Sequence, residues 1–506
     1  MDNRLNMQHR IINFLGSSKF FSIILAFFLA QGVFFALSVK PSDVVVSEDS
    51  AVTRSGGVVP DGNRHLGAIY EFAQKPLAEG PFINNMSDDE LWMGDLERFP
   101  SYLYYYIMGL IVKGPIALGA SDDLVILIVR VAGLVLGLLS LIVLRKIAQE
   151  VKAGKVVANT TVLAFALTGS FAWLAPAENY DVMALLVFFL FLLASIKLFS
   201  RNDVSYVYPM AIWFFLGSIT KYTYMPFMAI LGLISVIVFV RNSRGLSQAW
   251  HHFVSWIKKL TKKKLIVAGS LLILLGSLGL FAERFGINLI EYGSLNPECS
   301  QVHEHEACLN FGVYERNYSR AAAIDSGRVD NFNFNPVEYA GLWLHRYYTS
   351  AYAYVGHIWI YSFWVPMYVG AALALIAVML ALVYSLRNKI RFIVNRQQKF
   401  ILFTVLLFVS VQVLVNVGTY INYAGGAYAH QGRYLMAAIA LAYILILMMF
   451  AKVYEHLYSK RKVFMIRFFV ITSIILIITN SALPVFLVHA DSPEWYSDWV
   501  RVIVGE

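Results

Sequence analysis

Ionisable side chains gather at four places where an apolar chain has little use for them. In "VVPDGNRHLGAIYEFAQKPL", Asp61, Arg64 and His65 fall within one helical turn of one another. In "APAENYD", Glu178 and Asp181 stand three residues apart, just before a long apolar run. Lys221 sits in the short link "GSITKYTYMPF", and His430 and Arg433 precede another apolar run in "NYAGGAYAHQGRYLMA". A carboxylate positioned against a hydroxyl is a general base. An arginine offers phosphate a planar fork of donors, and a lysine offers it a point charge. The segment "WLHRYYTSAYAYVGHIWIYSFW" adds His345, Arg346 and His357 among aromatic rings. Sugars stack on such rings, and interfacial belts of membrane proteins are built from the same residues.

Each of these residues also has a structural reading. After Asp61, the residues His65, Ile69 and Phe72 recur at helical spacing, so Asp61 stands where an N-cap belongs. Asp181 has the same reading, with Pro176 pre-shaping the turn before it. A cap serves catalysis as well only if one carboxylate oxygen stays free. His65 is a weaker candidate for the base and a natural partner to orient Asp61. Lys221 could be a snorkelling lysine and Arg433 an interface anchor. Against that, an acid at the edge of hydrocarbon is costly unless it is wet or paired.

The elements that must position these residues are membrane spans. Of the 506 residues 58% are hydrophobic and only 14% charged, about half the usual charged share of a soluble domain. The formal charge of +9 resides largely in short links between apolar runs. That pattern belongs to membrane topology, and no nucleic-acid recognition module accompanies it. Eleven runs are long enough to be span candidates: Phe20–Val39, Leu124–Leu144, Val156–Ala175, Val182–Leu198, Val204–Ile219, Thr223–Val240, Leu265–Glu283, Phe363–Tyr384, Phe400–Val417, Arg433–Phe450 and Phe468–Val488. The first is too long for a removed signal peptide and reads as a retained span.

Basic clusters at 145–155, 241–264, 387–399 and 452–467 fall on one side if "SYLYYYIMGLIVKGPIALGA" (101–120) does not cross. That side is expected to be cytoplasmic, together with the N-terminus, and the C-terminus to lie outside. The outer side then holds long loops at 40–123 and 286–362 and short links at 176–181, 219–222 and 418–432. Two modules follow, 1–240 with the first loop and 241–506 with the second. Cys299 and Cys308, the two cysteines of the chain, share the second loop and are expected to form a disulfide. The intervening "SQVHEHEA" matches no strong zinc spacing.

The outer face thus combines acids from the early loops with cations from the later ones. A lipid-linked sugar fits both: its phosphate meets Lys221, His430 or Arg433, and its anomeric carbon faces Asp61, Glu178 and Asp181. One carboxylate would deprotonate the incoming hydroxyl while cations stabilise charge on the departing phosphate.

The order of these motifs is familiar. A first span precedes "PDGNRH". Then come "PSYLYYYIMGLIVKG", a span with "RVAGLVLGLLSLIVLRKI", and the "APAENYD" mouth. This order resembles the C-type (GT-C) superfamily of integral-membrane glycosyltransferases, which use polyprenyl-phosphate sugars. "QGRYLMA" resembles a bacterial group of predicted membrane glycosyltransferases with a GRY motif. The resemblance covers residues 1 to about 240, and beyond that mainly the GRY stretch.

The resemblance implies an all-α polytopic fold with juxtamembrane helices in the first outer loop. It implies a bacterial plasma-membrane protein and a catalytic acid at Asp61, with Glu178 and Asp181 as the second acidic motif. One departure stands out. Members often place a second acid beside the first, where this chain has Gly62. Some members use Mg²⁺ or Mn²⁺, and the departure favours a reaction without a metal. The expected activity is inverting sugar transfer by a monomer to a glycan, lipid or protein acceptor. Its rivals are a flippase of lipid-linked sugars, a polysaccharide polymerase or ligase, and a receptor.

Overall fold

The computed structural model describes residues 10–39, 61–260, 264–328, 332–352, 364–426, 430–459 and 482. Among these residues the protein is helical throughout its regular structure. In chain order the helices that matter here are α1 (Ser18–Ser38), α2 (Gly62–Gln74), α3 (Leu103–Ala117), α4 (Asp122–Glu150), α5 (Lys155–Leu167), α6 (Asp181–Ser200), α7 (Val207–Thr220), α8 (Met225–Asn242), α9 (Leu246–Leu260), α10 (Lys264–Phe281), α11 (Gly312–Asp325), α12 (Pro336–Tyr352), α13 (Trp364–Arg387), α14 (Arg396–Asn422) and α15 (Met436–Ser459). Eight described helices are long and apolar enough to cross a bilayer. The runs at 156–175 and 204–219 form shorter apolar helices, and the run at 468–488 lies outside the described residues. The chain is a polytopic, all-helical membrane protein.

Helix α6 is the axis of the bundle. Its sequence "DVMALLVFFLFLLASIKLFS" is apolar on every side, and a helix apolar all round must be enclosed by others. It is buried along nearly its whole length and packs against α4, α7 and α8. Interlocking phenylalanines fill the space around it. Phe188 meets Phe408 edge-on at 5.1 Å, and Phe408 stacks on Phe227 at 4.0 Å.

The polar contacts sort the helix termini into two ends. At one end Arg201 pairs with Glu150 at 2.7 Å, Asn395 donates to the Val151 carbonyl at 3.3 Å, and Ser243 donates to Asn202 at 3.1 Å. Three of the basic clusters, at 145–155, 241–244 and 387–399, therefore share this end. The opposite end gathers α2, α3, the 175–181 turn, Lys221 and the segment before α15. We refer to the two as the basic end and the site end.

Helix α3 belongs wholly to the site end. At its start Ser101 accepts a hydrogen bond from the Tyr222 backbone at 2.9 Å. Just past its end Tyr70 donates to Asp122 at 2.7 Å. At 15 residues it spans roughly 22 Å, short of the roughly 30 Å of hydrocarbon. Its Lys113 donates to the Ala73 and Lys75 carbonyls at 2.7 and 2.6 Å, closing the C-terminus of α2. The lysine that interrupts an apolar run is thus a clasp between two helices at one end of the bundle.

The second long loop folds over the first. Cys299 and Cys308 are disulfide-bonded and buried, in the same apolar cluster as Leu91 and Met93. His303 contacts Asp95 at 3.3 Å, and the Asp95 carboxylate raises its pKa above the ordinary histidine value. His305 contacts Tyr314 at 2.9 Å. The stretch between the cysteines therefore docks one loop on the other. Replacing both cysteines by serine should cost about 2–3 kcal/mol, the loop-closure entropy of so small a ring. Thermal unfolding of detergent-solubilised protein checks this, and an unchanged Tm would sink it.

Candidate functional site

Asp61 precedes α2 in the left-handed region, at φ 59°, and its side chain makes no hydrogen bond to the helix. A capping side chain requires an extended backbone at that position. Aspartate tolerates the left-handed alternative better than most residues. The carboxylate is therefore free of helix duty. Its Oδ2 accepts from Arg433 Nη2 at 3.0 Å, and Oδ1 lies 3.9 Å from Arg64 Nη1. Burial disfavours the charged form, but Arg433 and Arg64 outweigh it and hold the carboxyl well below the usual carboxylate range.

Asp181 is likewise not the cap of its helix. Asn179 Oδ1 accepts from the Asp181 backbone N–H at 2.7 Å, which leaves the Asp181 carboxylate to Lys221 and Arg433. Lys221 Nζ donates to Oδ1. Arg433 Nε lies 3.8 Å from Oδ2. Arg433 thus bridges the two carboxylates, one from the first loop and one from the N-terminus of the axial helix, where the helix dipole favours negative charge. Tyr434, Tyr180 and Tyr224 surround the ammonium of Lys221 at 4.8, 5.3 and 5.5 Å, an aromatic enclosure suited to a desolvated cation.

The GRY stretch now has a physical account. A Cβ on Gly432 would fall 2.5 Å from the Ala351 nitrogen, so only glycine lets this turn close on α12. The Gly432 N–H donates to Ser350 there. Arg433 enters the site, and Tyr434 packs on both of its cations, with the Arg433 guanidinium 5.3 Å from the ring.

His65 does not reach for Asp61 with its ring nitrogens. Nδ1 contacts the Tyr105 hydroxyl at 2.8 Å and Nε2 contacts Asn179 Nδ2 at 3.3 Å. Because Asn179 uses its oxygen on Asp181, its amide donates to Nε2. The proton then sits on Nδ1 and is donated to Tyr105. Burial, with help from the two arginines, pushes the imidazole pKa down to about 3. His65 is a neutral strut between α2, α3 and the 179–181 turn.

Glu178 is fully buried and receives Arg130 Nε at 2.5 Å. Arg130 also donates to the Ala36 and Val39 carbonyls at 2.8 and 2.7 Å. This pair fastens the C-terminus of α1 to α4 and sets the turn that presents Asp181. His430 is buried among Tyr339, Tyr347 and Tyr420, and contacts the Tyr339 hydroxyl at 3.3 Å. His345 bonds Tyr368, and half-buried Arg346 lies on the same helix, α12. His357 lies outside the described residues. The structure therefore brings Asp61, His65, Asp181, Lys221 and Arg433 together. Glu178 supports them from below, and His430, His345 and Arg346 belong to the flanking aromatic wall.

Access separates roles inside the cluster. The Asp61 side chain is 32% exposed and Arg64 27%, against 10% for Arg433 and 2–3% for Asp181 and Lys221. Asp61 and Arg64 are thus open to solvent, while Lys221 is committed to Asp181. Arg64, grouped with Asp61 and His65 in the sequence but given no role there, is a further functional candidate. It donates to the Met93 carbonyl at 3.3 Å and stacks on Phe311 at 4.6 Å. Its signal was the three-residue spacing from Asp61 on one helix face. The cluster counts three cations against two carboxylates and so offers a net positive charge to an anion. Among the described residues no three His, Cys, Asp or Glu side chains gather as a metal site.

Breaking the buried Lys221–Asp181 pair with Lys221→Met should destabilise the protein by about 3–5 kcal/mol. Most of that should return in Lys221→Met/Asp181→Leu, read by thermal unfolding. If the double variant melts as low as the single one, the pair is not what the fold protects. For His65 the sign follows from its lowered pKa. The fold holds the neutral form, so its contribution is complete above the unfolded value of 6.5 and is lost as pH falls towards about 3. Between pH 6.5 and 5 the stability of the wild type should decline more steeply than that of His65→Gln. Parallel slopes would show that His65 is not the titrating group.

Compared with protein-family models and with curated proteins, the sequence matches none of them.

Proposed function

We propose that this protein is an inverting membrane glycosyltransferase that moves a sugar from a polyprenyl-phosphate donor to a glycan, lipid or protein acceptor. The observation that carries the reading is the partly exposed Asp61 carboxylate, held ionised between Arg433 and Arg64 at the mouth of a membrane bundle. On this reading the basic end is cytoplasmic by the positive-inside bias and the site end faces outward. Helices α2 and α3 then lie along the outer membrane surface, as the resemblance to C-type glycosyltransferases implies.

The chemistry divides among the residues as follows. The polyprenyl chain stays in the bilayer, and the donor phosphate meets Arg433 and Arg64. Asp61 takes the proton of the acceptor hydroxyl as that oxygen bonds the anomeric carbon. The bond from that carbon to the phosphate oxygen breaks on the opposite face, and the polyprenyl phosphate leaves with the electron pair. Arginine donors stabilise the charge that develops on it. Asp181 and Lys221 hold Arg433 in place, and His65 fixes α2 against the 179–181 turn.

The test uses purified protein in nanodiscs with a panel of polyprenyl-phosphate sugars and glycan, lipid and peptide acceptors. Release of polyprenyl phosphate is followed. Asp61→Asn keeps a residue that tolerates the left-handed backbone and removes only the charge. A general base is worth roughly 10²–10⁴ in rate, so turnover should fall at least about 100-fold, while His65→Gln retains activity. Turnover unchanged in Asp61→Asn would falsify the assignment of the base. Movement of intact donor across the bilayer without cleavage would make the protein a transporter of lipid-linked sugars instead.

A further inference from the structure

Arg64 is the most exposed cation of the site, so whatever fixes its guanidinium decides what the mouth of the site can hold. Its Nε donates to the Met93 carbonyl at 3.3 Å. The 3.9 Å between Nη1 and Asp61 Oδ1 is an ion pair too long for a hydrogen bond. Among the described residues the Nη1 and Nη2 edge thus keeps its donors, and an arginine edge of this kind matches two oxygens of a phosphate. One hydrogen bond fixes a point of the guanidinium and leaves its plane free to turn. The second constraint is the Phe311 ring, 4.6 Å from the guanidinium carbon. A Cβ on Gly94 would fall 3.2 Å from Arg64 Nη2 and 3.4 Å from that ring, so the backbone after Met93 closes the same contact.

Phe311 comes from the second long loop, and the chain on both sides of it is tied down. Its backbone N–H donates to the Cys308 carbonyl at 3.0 Å, which joins it to the buried disulfide. Its neighbour Asn310 donates through Nδ2 to the Asp88 carbonyl at 3.2 Å. Its own carbonyl accepts from Glu315 at 2.9 Å as α11 begins. Further along α11, Arg320 donates to the Tyr423 and Ala424 carbonyls at 3.0 and 2.7 Å, just past the end of α14. We propose that Phe311 is a positioning residue, which holds the Arg64 guanidinium so that its Nη edge receives a phosphate group beside Asp61. Naming that phosphate as part of a polyprenyl phosphate rests on the proposed glycosyl transfer. What the ring supplies is the negative face of its π-system, which attracts the cation. Leucine fills much of the same space without that face, and tyrosine keeps it.

Full-length protein in nanodiscs is titrated with polyprenyl phosphate and, separately, with inorganic phosphate. The variants are Phe311→Leu, Phe311→Tyr, Arg64→Gln and Phe311→Leu/Arg64→Gln. Affinity falls with the fraction of molecules in the competent orientation, and a cation–π contact shifts that balance by roughly 5- to 30-fold. Phe311→Leu should therefore weaken phosphate binding by about 10-fold, and Phe311→Tyr should bind as the wild type does. In the Arg64→Gln background Phe311→Leu should cost nothing further, because the ring acts only through that arginine. Where thermal unfolding shows Phe311→Leu to be misfolded, Phe311→Met repeats the measurement with a ringless side chain. Wild-type affinity in the ringless variant overturns the proposal. An equal loss with and without Arg64 makes the ring a direct contact and overturns it too. If inorganic phosphate shows the Phe311 dependence and polyprenyl phosphate binds no tighter, the lipid-linked donor is wrong while the positioning of Arg64 stands. If neither ligand binds the wild type, both fall.

Discussion

The Arg433 guanidinium holds the site together. It joins Asp61, which the first loop delivers from 372 positions away in the sequence, to Asp181 at the N-terminus of the axial helix, by a hydrogen bond to the first and an ion pair with the second. Removing two carboxylates and two cations from water costs several kcal/mol for each ion unless all are paired. The surrounding structure satisfies that demand. Asn179 relieves Asp181 of capping, the left-handed turn relieves Asp61, three tyrosines enclose Lys221, and Gly432 lets Arg433 approach. Each device is local, yet together they require that α2, α6, α7 and the segment before α15 meet at one point. The Glu178–Arg130 pair and the His65 strut make that meeting rigid.

Much of this was legible in the sequence, for definite reasons. Span length and apolarity mark the helices directly, because a bilayer imposes a length. The basic clusters separated the two ends, and that separation explains why 101–120 stays at one end. Asp61, Asp181, Lys221 and Arg433 were picked out because a charge beside an apolar run needs a partner. The pairing itself was hidden, since nothing in the chain says that Lys221 faces Asp181 rather than a ligand. Glu178 and Asp181 look alike in "APAENYD". They part company because Asn179 turns the backbone between them, sending one towards Arg130 and the other towards Arg433.

The two aspartates also show where positional rules mislead. Both stand where caps belong, and neither caps. In one case a neighbouring asparagine does the work, and in the other the backbone is in a region where capping geometry cannot form. A carboxylate released from its expected structural duty is the stronger candidate for chemistry. The same contrast sets Arg64 apart from Arg130. Both are arginines near acids, but Arg130 is consumed by two carbonyls and a glutamate, whereas Arg64 stays partly open beside Asp61.

The electrostatics of Asp61 bear on how the proposed reaction would be ordered. A carboxyl held far below its usual range is a weak base, and an efficient base has a pKa nearer the working pH. In the resting arrangement Arg433 and Arg64 are the groups that hold it down. A donor phosphate drawn to the excess positive charge of the cluster competes for those same two guanidinium groups. As their charge turns to the phosphate, less of it stabilises the Asp61 carboxylate, and the proton affinity of Asp61 rises. Binding of the donor would thus strengthen the base that the acceptor needs. The pairing of Arg433 with Asp181 keeps its guanidinium from following the phosphate out of the site. The same bridge that holds the fold closed would then order the two substrates, donor first and acceptor second.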